Sequence, residues 1–231
     1  MNRLNKDVSK FRLDGQAALV TGSTRGIGWA IARGMAESGS TVYVNGRDKK
    51  VLAARCKNLI DLGYDAKPAL FDATDIEAIN RFLDSTDKPI DILVNNAAIR
   101  LRKPLGEISP KAFSEVLEAN LTSIYAISRR FAARLEGQQT KGSLINITSI
   151  AGLRARPGDP AYTAAKGGLE ALTRSLAVEL APRIRCNAIA PGYIDTDMTS
   201  SLGDVKKMVK SVTPMKKFGT ADDIAWAAVY L

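Results

Sequence analysis

Residues 16–34 read QAALVTGSTRGIGWAIARG, a short apolar run that breaks into glycines and then resumes at helical spacing. The run 16–21 has the length and near-continuous apolar character of a strand buried on both faces. Past the glycines, Ile27, Ala30, Ile31 and Gly34 recur at helical intervals, so a strand feeds directly into a helix. Gly22, Gly26 and Gly28 fall at the turn between them. Glycines at such a turn let the backbone come close to a ligand, and the helix start beyond presents unpaired N–H groups to an anion. A tight strand-to-helix turn without a ligand uses the same residues, and spacing alone leaves both readings open.

Working outward, the same alternation continues. TVYVN (41–45), AKPALF (66–71), IDILVN (90–95), SLINIT (143–148) and IRCNAIA (184–190) read as further strands. Helical periodicity fills 26–38, 48–62, 75–85, 111–136, 161–181 and 220–231. Strict alternation of strand and helix implies a parallel sheet covered on both sides. The expected fold is therefore α/β, a doubly wound Rossmann-type parallel sheet of strand order 3-2-1-4-5-6 with helices on both faces. A chain of 231 residues without repeats or low-complexity linkers fits one domain over 1–231. The long irregular segment 191–219 is a candidate for function.

Composition removes several function classes. The chain has no histidine, which excludes Ser/His/Asp and Cys/His triads and most zinc sites. Cys56 and Cys186 lie far apart, so no disulfide is expected and none of the chemistry is assigned to them. The net charge of +9 is spread over scattered Lys and Arg pairs, which fits solvated helix faces better than a nucleic-acid surface. The first 15 residues lack a continuous apolar region, and no run reaches membrane-spanning length. A cytoplasmic protein with neither nucleic acid nor membrane as partner is expected.

Cofactor choice is legible at the second strand. In dinucleotide folds a carboxylate about 20 residues past the glycines holds the ribose 2′-hydroxyl of NAD, while arginine accommodates the 2′-phosphate of NADP. Here TVYVN runs into Gly46 and Arg47, with no acid before Asp48. Arg25, inside the glycine loop, offers a second guanidinium to the same phosphate. These residues favour NADP(H) over NAD.

Acid–base chemistry without histidine needs another proton carrier. Tyr162 and Lys166 stand four apart on a helix opened by Pro160 and so project from one face. An ammonium beside a phenol is expected to lower its pKa toward neutrality. Ser149 closes the strand SLINITS at the carboxyl edge of the sheet, where open α/β folds bind ligands, and Asn120 sits inside a helix with little structural reason to be there.

The ordered set TGxxxGIG (21–28), NNAA (95–98), Asn120, Ser149, YxxxK (162–166) and NAIAPGYIDT (187–196) resembles the short-chain dehydrogenase/reductase family over nearly the whole chain. The resemblance implies a catalytic set of Asn120, Ser149, Tyr162 and Lys166. Tyr162 would exchange the proton with the substrate oxygen, Ser149 would bond that oxygen, Lys166 would lower the tyrosine pKa and hold the nicotinamide ribose, and Asn120 would anchor a water chain. It further implies cofactor contacts from Gly22, Ser23, Thr24, Arg25, Gly26, Ile27, Gly28, Arg47, Asp72, Ala73, Asn95 and Ala97. Tyr162 and Lys166 join them, with Pro191, Gly192, Ile194 and Thr196 on the nicotinamide side. Homo-oligomers are implied too, as is a final strand after AVYL; the sequence given stops at Leu231, and the expectation drawn from that is an uncovered sheet edge and reduced stability.

For the substrate, IRLRKP (99–104) brings Arg100, Arg102 and Lys103 toward the cleft mouth, a cluster suited to a carboxylate or phosphate. This segment and TPMKKFG (213–219) are similar to those of gluconate 5-dehydrogenases, which implies a ketone/alcohol interconversion on a sugar acid such as 5-ketogluconate. A 3-oxoacyl-carrier-protein reductase and a catalytically silent dinucleotide-binding protein are the alternatives.

Overall fold

The computed structural model describes residues 11–155, 157–196, 209 and 211–231. The first ten residues and part of the irregular segment 191–219 therefore lie outside the described residues. Six parallel strands form one sheet: β1 (Ala17–Val20), β2 (Thr41–Gly46), β3 (Ala66–Leu70), β4 (Ile92–Asn95), β5 (Gly142–Ile147) and β6 (Ile184–Ile189). Their order is β3-β2-β1-β4-β5-β6, as expected, and the order reverses between β1 and β4.

The four inner strands β2, β1, β4 and β5 feed their two faces into separate cores, which is why their sequences are nearly continuous in apolar residues, whereas the edge strands β3 and β6 are part exposed. On one face Ala18, Val20, Val42, Val44, Val94 and Ile145 pack with α1 (Gly26–Glu37), α2 (Lys49–Asp61) and α7 (Ala221–Tyr230). On the other, Leu19, Tyr43, Leu93 and Leu144 meet α3 (Ile76–Ser85), α5 (Ser123–Gly137) and the far end of α6 (Pro160–Glu179). Capping sets several starts. Asp48 accepts from the N–H groups of Lys50 and Val51 to open α2, Asp75 caps α3, and Thr220 with Asp223 forms a reciprocal capping box on α7.

The helical pattern 111–136 proves to be two helices. α4 (Pro110–Leu117), capped by Ser109, passes through a π turn at Glu118–Thr122 before α5 begins. Asn120 is the reason in the sequence. Its Nδ2 donates to the carbonyl of Val116 at 2.8 Å, one turn back, and so competes with the regular ladder.

After β6 the chain leaves the sheet and makes an isolated bridge. Ile194 bridges Gly219 in parallel, with Asp195 N–H donating to Gly219 O at 2.9 Å and Gly219 N–H to Tyr193 O at 2.8 Å. Among the described residues no helix is long and apolar enough to cross a membrane.

Candidate active site

A cleft of about 500 Å³ runs along the carboxyl edge of the sheet and collects residues from the ends of all six strands. Gly22, Arg47, Asp72, Ala97, Ser149 and Ile194 mark the strand ends in turn. This is the edge, and the strand-order reversal, at which doubly wound sheets bind their ligands.

The β1–α1 turn is built around a backbone that tolerates no side chain. Gly22 has φ of +61°, and a Cβ there would lie 2.9 Å from Ala97 Cα; one on Gly28 would lie 2.5 Å from the carbonyl oxygen of Gly22. Loop partners fix this shape: Gly22 N–H donates to Asn45 Oδ1, Asn96 Nδ2 donates to the carbonyls of Thr21 and Gly22, and Arg55 Nε donates to Thr24 O. No side chain caps the start of α1, whose Gly26, Ile27 and Gly28 line the cleft with Thr24 and Arg25. A diphosphate suits this cradle, since the glycines let the backbone itself form the cleft wall and the helix start that lines it has no side-chain cap, leaving its N–H groups and positive end for an anion.

At the far end of the cleft the exposed Arg47 donates to Asp72 at 3.2 Å, which joins the ends of β2 and β3. Burial raises the Asp72 carboxyl, but hydrogen bonds from Thr74, with Arg47 behind them, outweigh it and hold its pKa below the ordinary value. Ala73 lines the cleft beside it. Asp48 is engaged as the α2 cap, which leaves Arg47 as the charged group at the end of β2.

At the catalytic end, Tyr162 and Lys166 line the cleft together from one face of α6. Lys166 is only 2% exposed, and its ammonium donates to the carbonyl of Ile147, the last residue of β5, at 2.7 Å. Burial pulls its pKa down to about 8. Ser149 opens the turn Ile150–Gly152, accepting from Ala151 N–H at 3.1 Å. That turn sits hard on α6: a Cβ on Gly152 would lie 2.8 Å from Lys166 C and 2.9 Å from Gly167 N.

The expected effect of Lys166 on Tyr162 is corrected by this geometry. The phenol pKa is raised, because burial in a small apolar cluster with Val116, Ala151 and Ala161 outweighs every charge near it. Of the groups that pull it down, Arg100 comes first and Ser149 second. The Lys166 ammonium, drawn toward Ile147, lies 5.8 Å from the centroid of the tyrosine ring.

Three other expectations shift. Ser23 does not line the cleft; it is fully buried, its hydroxyl donating to Val20 O and accepting from Asn45 N–H, and so braces the loop from behind. Asn95 points to the opposite side, donating to Ser128 Oγ and Asn146 Oδ1, and its neighbour Asn96 is the one that reaches the glycine loop. Asn120 is likewise outside the lining: its amide accepts from Ile99 N–H and donates to the carbonyls of Ile99 and Val116, so it holds the segment after β4. Pro191, Gly192, Ile194 and Thr196 line the cleft as expected. The basic cluster divides, with Arg100 facing the cleft while Arg102 and Lys103 are exposed and outside it. Sequence reading missed Asn45 and Arg55, which carry no motif signal of their own, and within NNAA (95–98) it chose Asn95 over Asn96.

A doubly wound sheet with a glycine-cradled helix start at one end of its cleft and a buried Tyr–Lys pair at the other defines a nicotinamide-dinucleotide-dependent oxidoreductase. Residues 22–231 match a family model described as enoyl-(acyl carrier protein) reductase. Gluconate 5-dehydrogenase of Gluconobacter oxydans (strain 621H) is 34% identical over 228 residues, covering 96% of this chain and 89% of the relative. The 3-oxoacyl-[acyl-carrier-protein] reductase FabG of Aquifex aeolicus (strain VF5) is 36% identical over 228 residues, at 96% and 92%. Among solved structures, a gluconate 5-dehydrogenase from Burkholderia cenocepacia J2315 in complex with NADP and tartrate superimposes with a TM-score of 0.91 at 33% identity, covering 97% of this chain and 91% of that one. The chain belongs to the short-chain dehydrogenase/reductase family, whose members here act on CH–OH donors.

Proposed function

We propose that this protein is an NADP(H)-dependent reductase that interconverts a ketone and a secondary alcohol on a small sugar acid of the gluconate class. The observation that carries the reading is the convergence of Tyr162, Lys166 and Ser149 at one end of a cleft whose other end is Arg47. The glycine loop at Gly22–Gly28 and Arg47 would hold the dinucleotide, which would supply or accept the hydride at the substrate carbon. Tyr162 exchanges the matching proton at the substrate oxygen, giving it up as the ketone is reduced and taking it as the alcohol is oxidised. Ser149 orients that oxygen. Lys166, fixed by Ile147, keeps a positive charge at the inner wall, and Asn96 and Asn45 hold the glycine loop in its open shape.

For the cofactor, support comes from Arg47 at the β2 end and from related structures that hold NADP. For the substrate, it comes from Arg100 in the cleft wall and from relatives named gluconate and 2-dehydro-3-deoxy-D-gluconate dehydrogenases. A 3-oxoacyl-carrier-protein reductase is the second reading, favoured by several relatives of that name. An assembly of identical chains is part of the proposal; exposed Tyr125 on α5 and Val178 on α6 are apolar surface available to it.

NADPH oxidation is to be followed with 5-ketogluconate and with an acetoacetyl thioester side by side, in the wild type and in Tyr162→Phe. Faster turnover of the keto acid and its loss in Tyr162→Phe are expected. A thioester preference selects the second reading, and full turnover in Tyr162→Phe overturns the assignment of the proton carrier.

A further inference from the structure

Asp159 occupies the N-cap position of α6, where aspartate ordinarily accepts a backbone N–H, yet its side chain makes no capping bond. It is wholly buried (0% exposed) and accepts instead from Arg100, from Nε at 3.0 Å and from Nη2 as well. Arg100 comes from the segment after β4, 59 residues away in sequence. A second tie joins the same two segments, Lys103 N–H donating to Gly158 O at 3.0 Å, with Gly158 at φ of +83°. The result is a guanidinium, its side chain 21% exposed, held over the Tyr162 ring at 5.2 Å from the centroid. It is closer to that ring than the Lys166 ammonium at 5.8 Å.

We propose that the Asp159–Arg100 pair is a positioning element of the proton-transfer site: Asp159 fixes Arg100 above Tyr162, and this guanidinium is a cation that assists loss of the tyrosine proton. The inference rests on Tyr162 being the proton carrier proposed above. A forked contact to a buried carboxylate fixes orientation as well as distance, and a helix start that forgoes its cap to make that contact points to a role beyond helix stability. The groups that face the phenol are Arg100, Ser149, Asp159 and Lys166. Arg100 is the largest influence drawing its pKa down, Ser149 acts in the same direction, and the Asp159 charge opposes them more weakly. Arg100 itself stays protonated, its pKa raised by the hydrogen bonds to Asp159.

In alcohol oxidation with NADP⁺, the C–H bond yields a hydride to the nicotinamide and the O–H yields its proton to the Tyr162 phenolate. kcat/KM for that direction therefore falls on the acid side of the phenol pKa. The test compares this acid limb in the wild type, Arg100→Lys, Arg100→Gln and the double variant Arg100→Met/Asp159→Asn, which strands no buried carboxylate. Arg100→Gln and the double variant are expected to move the limb to higher pH. Near neutral pH they lose about tenfold in kcat/KM, with the rate recovering toward the wild-type value above the limb. Arg100→Lys keeps the charge and holds the limb near its original place. A spectrophotometric phenolate titration, each protein minus its Tyr162→Phe counterpart, reads the same displacement without substrate or cofactor. A limb and titration unmoved, or moved to lower pH, in both neutral variants overturn the inference, whereas turnover that survives in Tyr162→Phe overturns the underlying reading instead.

Discussion

Replacing Lys166 with methionine should make the protein more stable near neutral pH while abolishing its activity. The ammonium is 2% exposed, and burial alone moves its pKa from 10.5 down to about 8. That displacement of roughly 2.5 units, at about 1.4 kcal/mol each, is about 3 kcal/mol of destabilisation carried by the protonated form. Methionine follows the path of the lysine stem and removes this cost, but it leaves the Ile147 carbonyl without its 2.7 Å partner. A bond of that kind is worth about 1 kcal/mol, so the net gain is about 2 kcal/mol, or about 4 to 8 °C in Tm for a chain of this size. The pH dependence fixes the cause. Because the folded-state pKa lies below the unfolded one, the unfolded chain binds the proton more tightly between about pH 8 and pH 10.5, and wild-type stability gains from this group as pH rises through that window. The advantage of Lys166→Met is therefore complete below about pH 8 and gone above about pH 10.5. Urea unfolding of both proteins across this range measures it. A variant less stable than wild type near neutral pH, or a difference that does not change with pH, refutes the reasoning.

Gly152→Ala should cost about 1 to 3 kcal/mol and lower kcat more than it raises KM, since the new methyl meets the backbone of Lys166 and Gly167 at under 3 Å and must displace Ser149 from Tyr162; steady-state kinetics with thermal melts check both parts. Gly22→Ala, which combines a positive φ with a 2.9 Å approach to Ala97 Cα, should abolish dinucleotide binding as read by quenching of Trp29 or by calorimetry. Arg47→Ala should weaken NADPH about tenfold and leave NADH nearly unchanged, and equal losses for the two would remove the phosphate assignment.

What the sequence made legible was whatever repeats at short range. All six strands lie where the sequence pattern places them, most plainly the four inner ones, because parallel strands buried on both faces cannot hide that composition. Tyr162 and Lys166 share a face because four residues make about one turn. The glycine loop was readable since only its residue type permits the close approach to Ala97. The rest depends on direction and on distant partners. In the pair Asn95–Asn96 the alternation of a strand decides which amide faces the glycine loop, and two identical neighbours give no sign of it. The π turn at Asn120 leaves the helical period nearly intact on either side, so one continuous helix fits the same letters. The place of Arg100 beside the Tyr162 ring was hidden for the same reason. The Arg100–Asp159 pair closes across 59 residues, and the ammonium's own partner, Ile147 O, belongs to another strand.

The parallel bridge between Ile194 and Gly219 brings two positions 25 apart in the sequence side by side. Closing a flexible loop between fixed ends costs only about 0.6 kcal/mol more for each doubling of its length. The two clasps here, Tyr193 O to Gly219 N–H and Gly219 O to Asp195 N–H, are main-chain contacts that do not depend on the side chains at 193 and 195. Transplants from relatives that work on other alcohols can therefore be joined at these two seams, leaving Tyr162, Lys166 and the glycine loop in place.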